Sequence, residues 1–288
     1  TLCYRISGKT PAMIPRIQTP EHRPVWQTLL AQAVKSTDEL LKLLQIDPAH
    51  LKTRPLTDNF PLRVPHGFVQ RMNKGDSRDP LLLQVLPVEQ ETVATTGFLR
   101  DPLEELDTMP VPGLLHKYRG RALLTVTGAC AIHCRYCFRR HFPYTDANPT
   151  INHWQLPINY IEQHPDITEL ILSGGDPLTL TDARLQSLTD GLANIDHLRT
   201  LRIHTRLPIV LPERVDTGLL SWLATQRLKL VMVVHCNHAN EIDAGVIDAI
   251  HRLNRAGVVL LNQSVLLRGI NDATTTLINL SESLFAAG

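Results

Sequence analysis

Three cysteines fall within eight residues, as Cys130, Cys134 and Cys137, in a CxxxCxxC spacing. Three thiolates on one loop can each take one iron of a 4Fe–4S cubane and leave the fourth iron without a protein ligand. An amino and carboxylate pair, such as that of S-adenosylmethionine (SAM), can chelate this open corner and set the SAM sulfonium beside the cluster. An electron passed from the cluster then breaks a C–S bond and releases a 5′-deoxyadenosyl radical. A structural zinc ion, completed by His133 or His141, is the alternative reading. Such sites normally have four ligands, often as two separated pairs, and the triplet lacks that spacing. Only Cys3 and Cys236 lie outside the triplet, so the count is an odd five. That is not a secreted disulfide framework; clustering of this kind belongs to metal binding or catalysis in a reducing compartment.

The triplet follows directly on an apolar run, ALLTVTG (122–128), and the elements around it repeat that design. Further strand-like runs are ELILSGG (169–175), TLRIHTR (200–206), KLVMVVHC (229–236) and VVLLNQSVL (258–266). Helical stretches lie between them, among them INYIEQH, ARLQSLTDGLANI, GLLSWLATQ and AGVIDAIHRLNRAG. Near-continuous Val, Ile and Leu strands separated by helices predict an α/β fold with a parallel sheet buried on both faces. Ligands of parallel α/β barrels gather at the C-terminal rim, where nearly every polar motif of this chain falls. Upstream, 25–45 reads as helical with Thr37 as a plausible N-cap, and Pro102, Pro110 and Pro112 mark a link into the main body. The expected organisation is an upstream extension over 1–12, before Met13, then a helical region over 13–110 and the α/β unit over 111–288.

Bulk composition removes several classes of function. The 29 Lys and Arg balance 28 Asp and Glu, which leaves no basic surplus for nucleic acid. The longest apolar runs are strand-length and too short to cross a bilayer, and no leader pattern opens the chain, so the expected location is the cytoplasm.

The triplet, the βα alternation and SGGDP (173–177) after the second strand resemble the radical SAM superfamily. PGLLHKYRGR (112–121), CRYCFRRHFPY (134–144), LSGGDPL (172–178), HCNHANEI (235–242) and NQSVLLRGIND (262–272) resemble the lysine 2,3-aminomutase family. DELLKLLQID, LRVPHGFVQRMNKGD and FRRHFPY are most similar to members that make (R)-β-lysine for elongation factor P. The likeness runs from about Met13 to the end. It implies a partial (β/α) barrel with five of its six strands visible. The implied activity is migration of the lysine amino group from Cα to Cβ, with a 4Fe–4S cluster, SAM and pyridoxal 5′-phosphate (PLP) as cofactors. Free L-lysine would be the substrate, a cellular donor would supply the electron, and an elongation factor P ligase would receive the product. Neither nucleic acid nor membrane is implied as a partner, and self-association stays open.

The same resemblance assigns the remaining residues. The stretch Ser173, Gly174, Gly175 and Asp176 would contact the SAM amino group; glycines let a ligand approach the backbone, and a carboxylate suits an ammonium. Arg206, Gln263 and a histidine from the pair His235 and His238 would also contact SAM, while His204 ends the same strand as Arg206. Arg139, the first of two arginines after the triplet, would receive the substrate carboxylate on its bidentate fork. Lys117, beside Tyr118, and Arg121 would hold the PLP phosphate. Lys117 stands where other members carry arginine, and a lysine offers a point charge without the fork. No sixth barrel strand, substrate-ammonium carboxylates or PLP-anchoring lysine can be located before Gly288; Lys9 resembles the anchor's neighbourhood from the wrong end and is given no role. An open barrel edge is therefore expected. The rival functions are another radical SAM reaction, such as glutamate 2,3-aminomutation or a PLP-independent activity, and a metal-stabilised binding module without turnover.

Overall fold

The computed structural model describes residues 24–51, 61–93, 96–97, 99, 101–144 and 154–288. The expected extension over 1–12, Lys9 with it, lies outside the described residues. One sheet holds six strands in chain order, β1 (Leu114–Tyr118), β2 (Arg121–Thr127), β3 (Glu169–Gly174), β4 (Thr200–Thr205), β5 (Lys229–Val234) and β6 (Val259–Asn262). The parallel strands β2 to β6 are those that the apolar runs mark. β1 is an addition: it pairs antiparallel with β2 as a hairpin, and its LLHKY sequence carries no period-2 signal that announces a strand. β6 is also shorter than its apolar run. Past Asn262 the chain turns to bond its neighbour loop, with Val265 N donating to Asn237 Oδ1 at 2.8 Å. Gln263 therefore sits just beyond the strand, although its N–H still donates to Val234 O at 2.9 Å.

The helices are α1 (Val25–Ala31), α2 (Thr37–Leu43), α3 (His66–Val69), α4 (Gln155–Gln163), α5 (Asp182–Leu192), α6 (Leu207–Val210), α7 (Thr217–Ala224), α8 (Ala244–Arg255) and α9 (Thr274–Ala287). The one helical stretch read over 25–45 is two short helices, and the cap of the second is Ser36 rather than Thr37. The side chains of Thr181, Asp216 and Asp243 cap α5, α7 and α8 by accepting the free N–H groups of the first turn. No helix among the described residues is long and apolar enough to cross a membrane.

The strand order follows the chain without the reversal of a doubly wound sheet and is compatible with a barrel wall. Successive side chains of a strand point to opposite faces. Leu124 and Val126, Leu170 and Leu172, Leu201 and Ile203, and Met232 and Val234 all join one continuous buried core. The other face is mixed. By register it carries Arg121, Leu123 and Thr125 on β2, Glu169, Ile171 and Ser173 on β3, and Thr200, Arg202 and His204 on β4.

Candidate active site

The cysteines leave β2 at its C-terminal end, and the loop that carries them is held on two sides. On the sheet side it lies against the turn that leaves β3. Gly175 N donates to Thr127 O and Asp176 N to Ala129 O, each at 2.7 Å. A Cβ on Gly174 would stand 2.5 Å from Thr127 O, and one on Gly175 would stand 2.2 Å from Ala129 O. The room that these glycines leave is therefore filled by the stem of the cysteine loop. This corrects the expectation of an open cradle at both positions: glycine is required there so that two backbones can meet.

The N-terminal region holds the other side. His133 N donates to Arg63 O at 3.0 Å, Arg135 N to Gln84 O at 3.0 Å, and Arg63 Nη1 to Cys130 O at 3.2 Å. Glu91 pairs with both Arg135, at 2.7 Å, and Arg140, at 2.8 Å. One ring nitrogen of His133 is engaged with Pro61 O at 2.7 Å.

Burial raises the pKa of Cys130, and Asp176 and the other two thiols add to the rise; burial and then Cys134 raise that of Cys137. Such thiols stay protonated until a cation arrives, and metal ligation removes those protons. Among the described residues no three His, Cys, Asp or Glu side chains converge on a point that would hold a single ion. A cubane binds each cysteine to a different iron, so convergence on one point is not what it requires. The residues fit a cluster of that type.

Arg206 departs from its expected place at the rim. It is 5% exposed. Nη1 donates to Cys134 Sγ at 2.8 Å, and Nη2 donates to Gln84 Oε1 at 2.7 Å and Glu241 Oε2 at 2.9 Å. Glu241 is fully buried and also accepts from Gln84 Nε2 and from the N–H groups of Asn237 and His238. Asn237 Nδ2 donates to Gln84 Oε1 and Tyr136 Oη. Burial works against the Arg206 charge; Cys134, Tyr136 and Glu241 outweigh it, so the guanidinium stays charged. The expectation that it reaches a SAM carboxylate gives way to a role inside the protein, on a cysteine sulfur.

Asp176 is likewise internal. Its carboxylate accepts from Leu178 N, Thr205 Oγ1 and Arg206 N at 3.0, 2.6 and 2.7 Å. Burial pushes its pKa up to about 6 against these donors. Its carboxylate therefore fastens the turn after β3 to the end of β4 and is not turned out toward an ammonium.

On the mixed face, two half-buried imidazoles sit edge to face, His204 and His235, with ring centroids 5.8 Å apart. The Nε2 atom of each is buried and has no protein partner. Burial pushes both pKa values down to about 4; Arg202 and Arg139 add to this at His204, and His204, Arg206 and Arg139 at His235. Both rings are neutral near pH 7. His238 instead accepts from Asn240 N through Nδ1, at 3.1 Å, and caps a local turn. Of the expected pair, only His235 keeps a buried ring nitrogen without a protein partner.

Arg139 is buried and donates to Ser173 Oγ and to both oxygens of Glu105. Arg121 and Lys117 lie far along the strands from the cysteines, at the opposite end of β2 and on β1. Arg121 is half exposed, 3.5 Å from Glu169, which also binds Arg202 at 2.6 Å. Lys117 Nζ donates to Leu103 O at 2.8 Å, and Tyr118 is exposed. The structure thus brings the expected residues to two ends of the sheet, the thiols with Arg139, Arg206 and His235 at one end and the Lys117 and Arg121 cations at the other. Gln84, Glu105, Tyr136, Asn237 and Glu241 were not singled out from sequence. Tyr136 lies within the quoted CRYCFRRHFPY stretch and Asn237 and Glu241 within HCNHANEI, whereas Gln84 and Glu105 carried no signal.

No family model matches the chain. Its curated relatives are informative. An L-lysine 2,3-aminomutase of Escherichia coli (strain K12) is 50% identical over 279 residues, 96% of this chain and 81% of the relative. The protein of the same name from Haemophilus influenzae (strain Rd) is 47% identical, with 91% of this chain and 78% of the relative covered. That of Clostridium subterminale is 32% identical over 86% of this chain and 60% of its own length. With half its residues identical to one relative over almost its whole length, the chain belongs to the lysine 2,3-aminomutase family, isomerases of the radical SAM type.

Proposed function

We propose that this chain binds a 4Fe–4S cluster through Cys130, Cys134 and Cys137 and acts as a lysine 2,3-aminomutase that forms (R)-β-lysine for elongation factor P. The observation that carries the reading is the pair of 2.7 Å hydrogen bonds that join the stem of the cysteine loop to Gly175 and Asp176. They set the cysteine loop against the turn over 173–176, and a SAM molecule on the open iron would lie beside that turn. When bound, the cluster and SAM would supply a hydrogen-abstracting carbon radical, and PLP would supply a π-system for the migrating amino group.

The chain's own residues bind, orient and exclude water. Gln263 and His235 line the SAM side, and the neutral His235 ring offers a hydrogen bond without adding charge. Arg206 holds the Cys134 sulfur, and Asp176 fixes the turn on which SAM rests. Arg139 receives the substrate carboxylate. Lys117 and Arg121 receive the PLP phosphate, in keeping with their exposure and with the single 2.8 Å bond that Lys117 makes to a carbonyl. The sheet with its helices is read as the wall of a partial radical SAM barrel, in the cytoplasm. Anaerobic reconstitution tests the proposal. About four irons per chain, a reducible cluster signal, 5′-deoxyadenosine from SAM and β-lysine from lysine are expected, and any single cysteine-to-alanine change should abolish all four. Retention of zinc without iron would favour the binding-module reading; 5′-deoxyadenosine with no β-lysine under any condition would favour a different radical reaction.

A further inference from the structure

Arg139 is read above as the receiver of the substrate carboxylate, yet it already holds a carboxylate of the protein. Nε donates to Glu105 Oε2 at 2.8 Å and Nη2 to Glu105 Oε1 at 2.6 Å, while Nη1 donates to Ser173 Oγ at 2.8 Å. A guanidinium has five N–H bonds, so these contacts leave two, one on Nη1 and one on Nη2. Glu105 takes the edge formed by Nε and Nη2. The donors that remain belong to the two terminal nitrogens, which form the other edge on which a carboxylate docks with two parallel bonds.

Glu105 is itself fixed. Its N–H donates to Asp101 Oδ1 at 3.2 Å, and its carbonyl accepts from Thr108 Oγ1 at 2.9 Å. Both partners of the pair are about nine-tenths buried. Expelling Glu105 to admit a substrate would leave a buried charge without its counterion, a costly change. A second carboxylate added to the terminal edge keeps the pair intact.

We infer that Glu105 is a positioning residue, which grips Arg139 by its Nε edge and presents the terminal edge to the carboxylate of an α-amino acid substrate. The inference rests on the reading of Arg139 as the carboxylate receiver. The opposite role, a plug that competes with substrate for the same donors, predicts the opposite sign on mutation.

The test compares binding of L-lysine with that of 1,5-diaminopentane, its analogue without the carboxylate, by titration calorimetry on the full chain reconstituted with cluster, SAM and PLP. Wild type should prefer lysine. In Glu105→Gln that preference should fall about tenfold or more, the scale of one lost charge-assisted hydrogen bond, while the affinity for diaminopentane holds. Glu105→Asp keeps the charge but withdraws it by one methylene, and it should fall in between; it also serves if the glutamine variant does not fold. A preference unchanged or increased in both variants overturns the inference and leaves Arg139 as the receiver. A wild type without any preference for lysine overturns the reading of Arg139, and the role of Glu105 with it.

Discussion

Arg206 has the form of a side chain that ends a strand at a solvent rim, yet it is buried and hydrogen-bonded to a sulfur. Hydrogen bonds to ligating sulfurs draw charge from an iron–sulfur cluster and raise its potential. Arg206→Met should therefore lower the cluster's midpoint in a potentiometric titration, so that less of it is reduced at a given poise. A midpoint that does not move would separate Arg206 from the thiolate. At His204 and His235 the folded pKa values of about 4 lie below the ordinary 6.5, so the unfolded chain binds protons first as the pH drops. Their contribution to stability is full above pH 6.5 and is lost as the pH falls toward 4, each on the order of 1–3 kcal/mol. Thermal unfolding measured between pH 7 and pH 4 should show this decline, and the double change His204→Gln with His235→Gln should flatten it.

The strands were legible because β2 to β6 are rich in Val, Ile and Leu, although burial on both faces was expected and the structure buries one face while the other is mixed. The cysteine loop was legible for a different reason: its chemistry is written in spacing. Neither signal reaches β1, which exists because a short turn folds LLHKY back on β2, nor Glu105 and Gln84, whose partners lie 34 and 122 residues away. A lone carboxylate or amide has no period, and its role is set wholly by what packs against it. At the glycine pair after β3 a close approach by a ligand was expected, and what approaches is the chain itself. Among the described residues β6 pairs with β5 alone, and its Val259 and Leu261 side chains are more than 40% exposed. An edge of this kind is a template for another strand.

At the scale of the molecule, the helical N-terminal region and the sheet share one hydrophobic core, and the buried knot of Gln84, Tyr136, Arg206, Asn237 and Glu241 is a polar joint between them. Arg71 adds to it, donating to Ile209 O at 2.7 Å and to the carbonyl of Glu241. Cys134 is the point at which this knot touches the cysteine loop. Loss of a bound cluster would disturb the Cys134 loop, and the disturbance would be felt through Arg206 at Gln84 and Arg71. Damage by oxygen should thus propagate away from the inorganic centre. A protease should find new cuts in the first ninety residues, a stretch that holds none of the three sulfurs under attack.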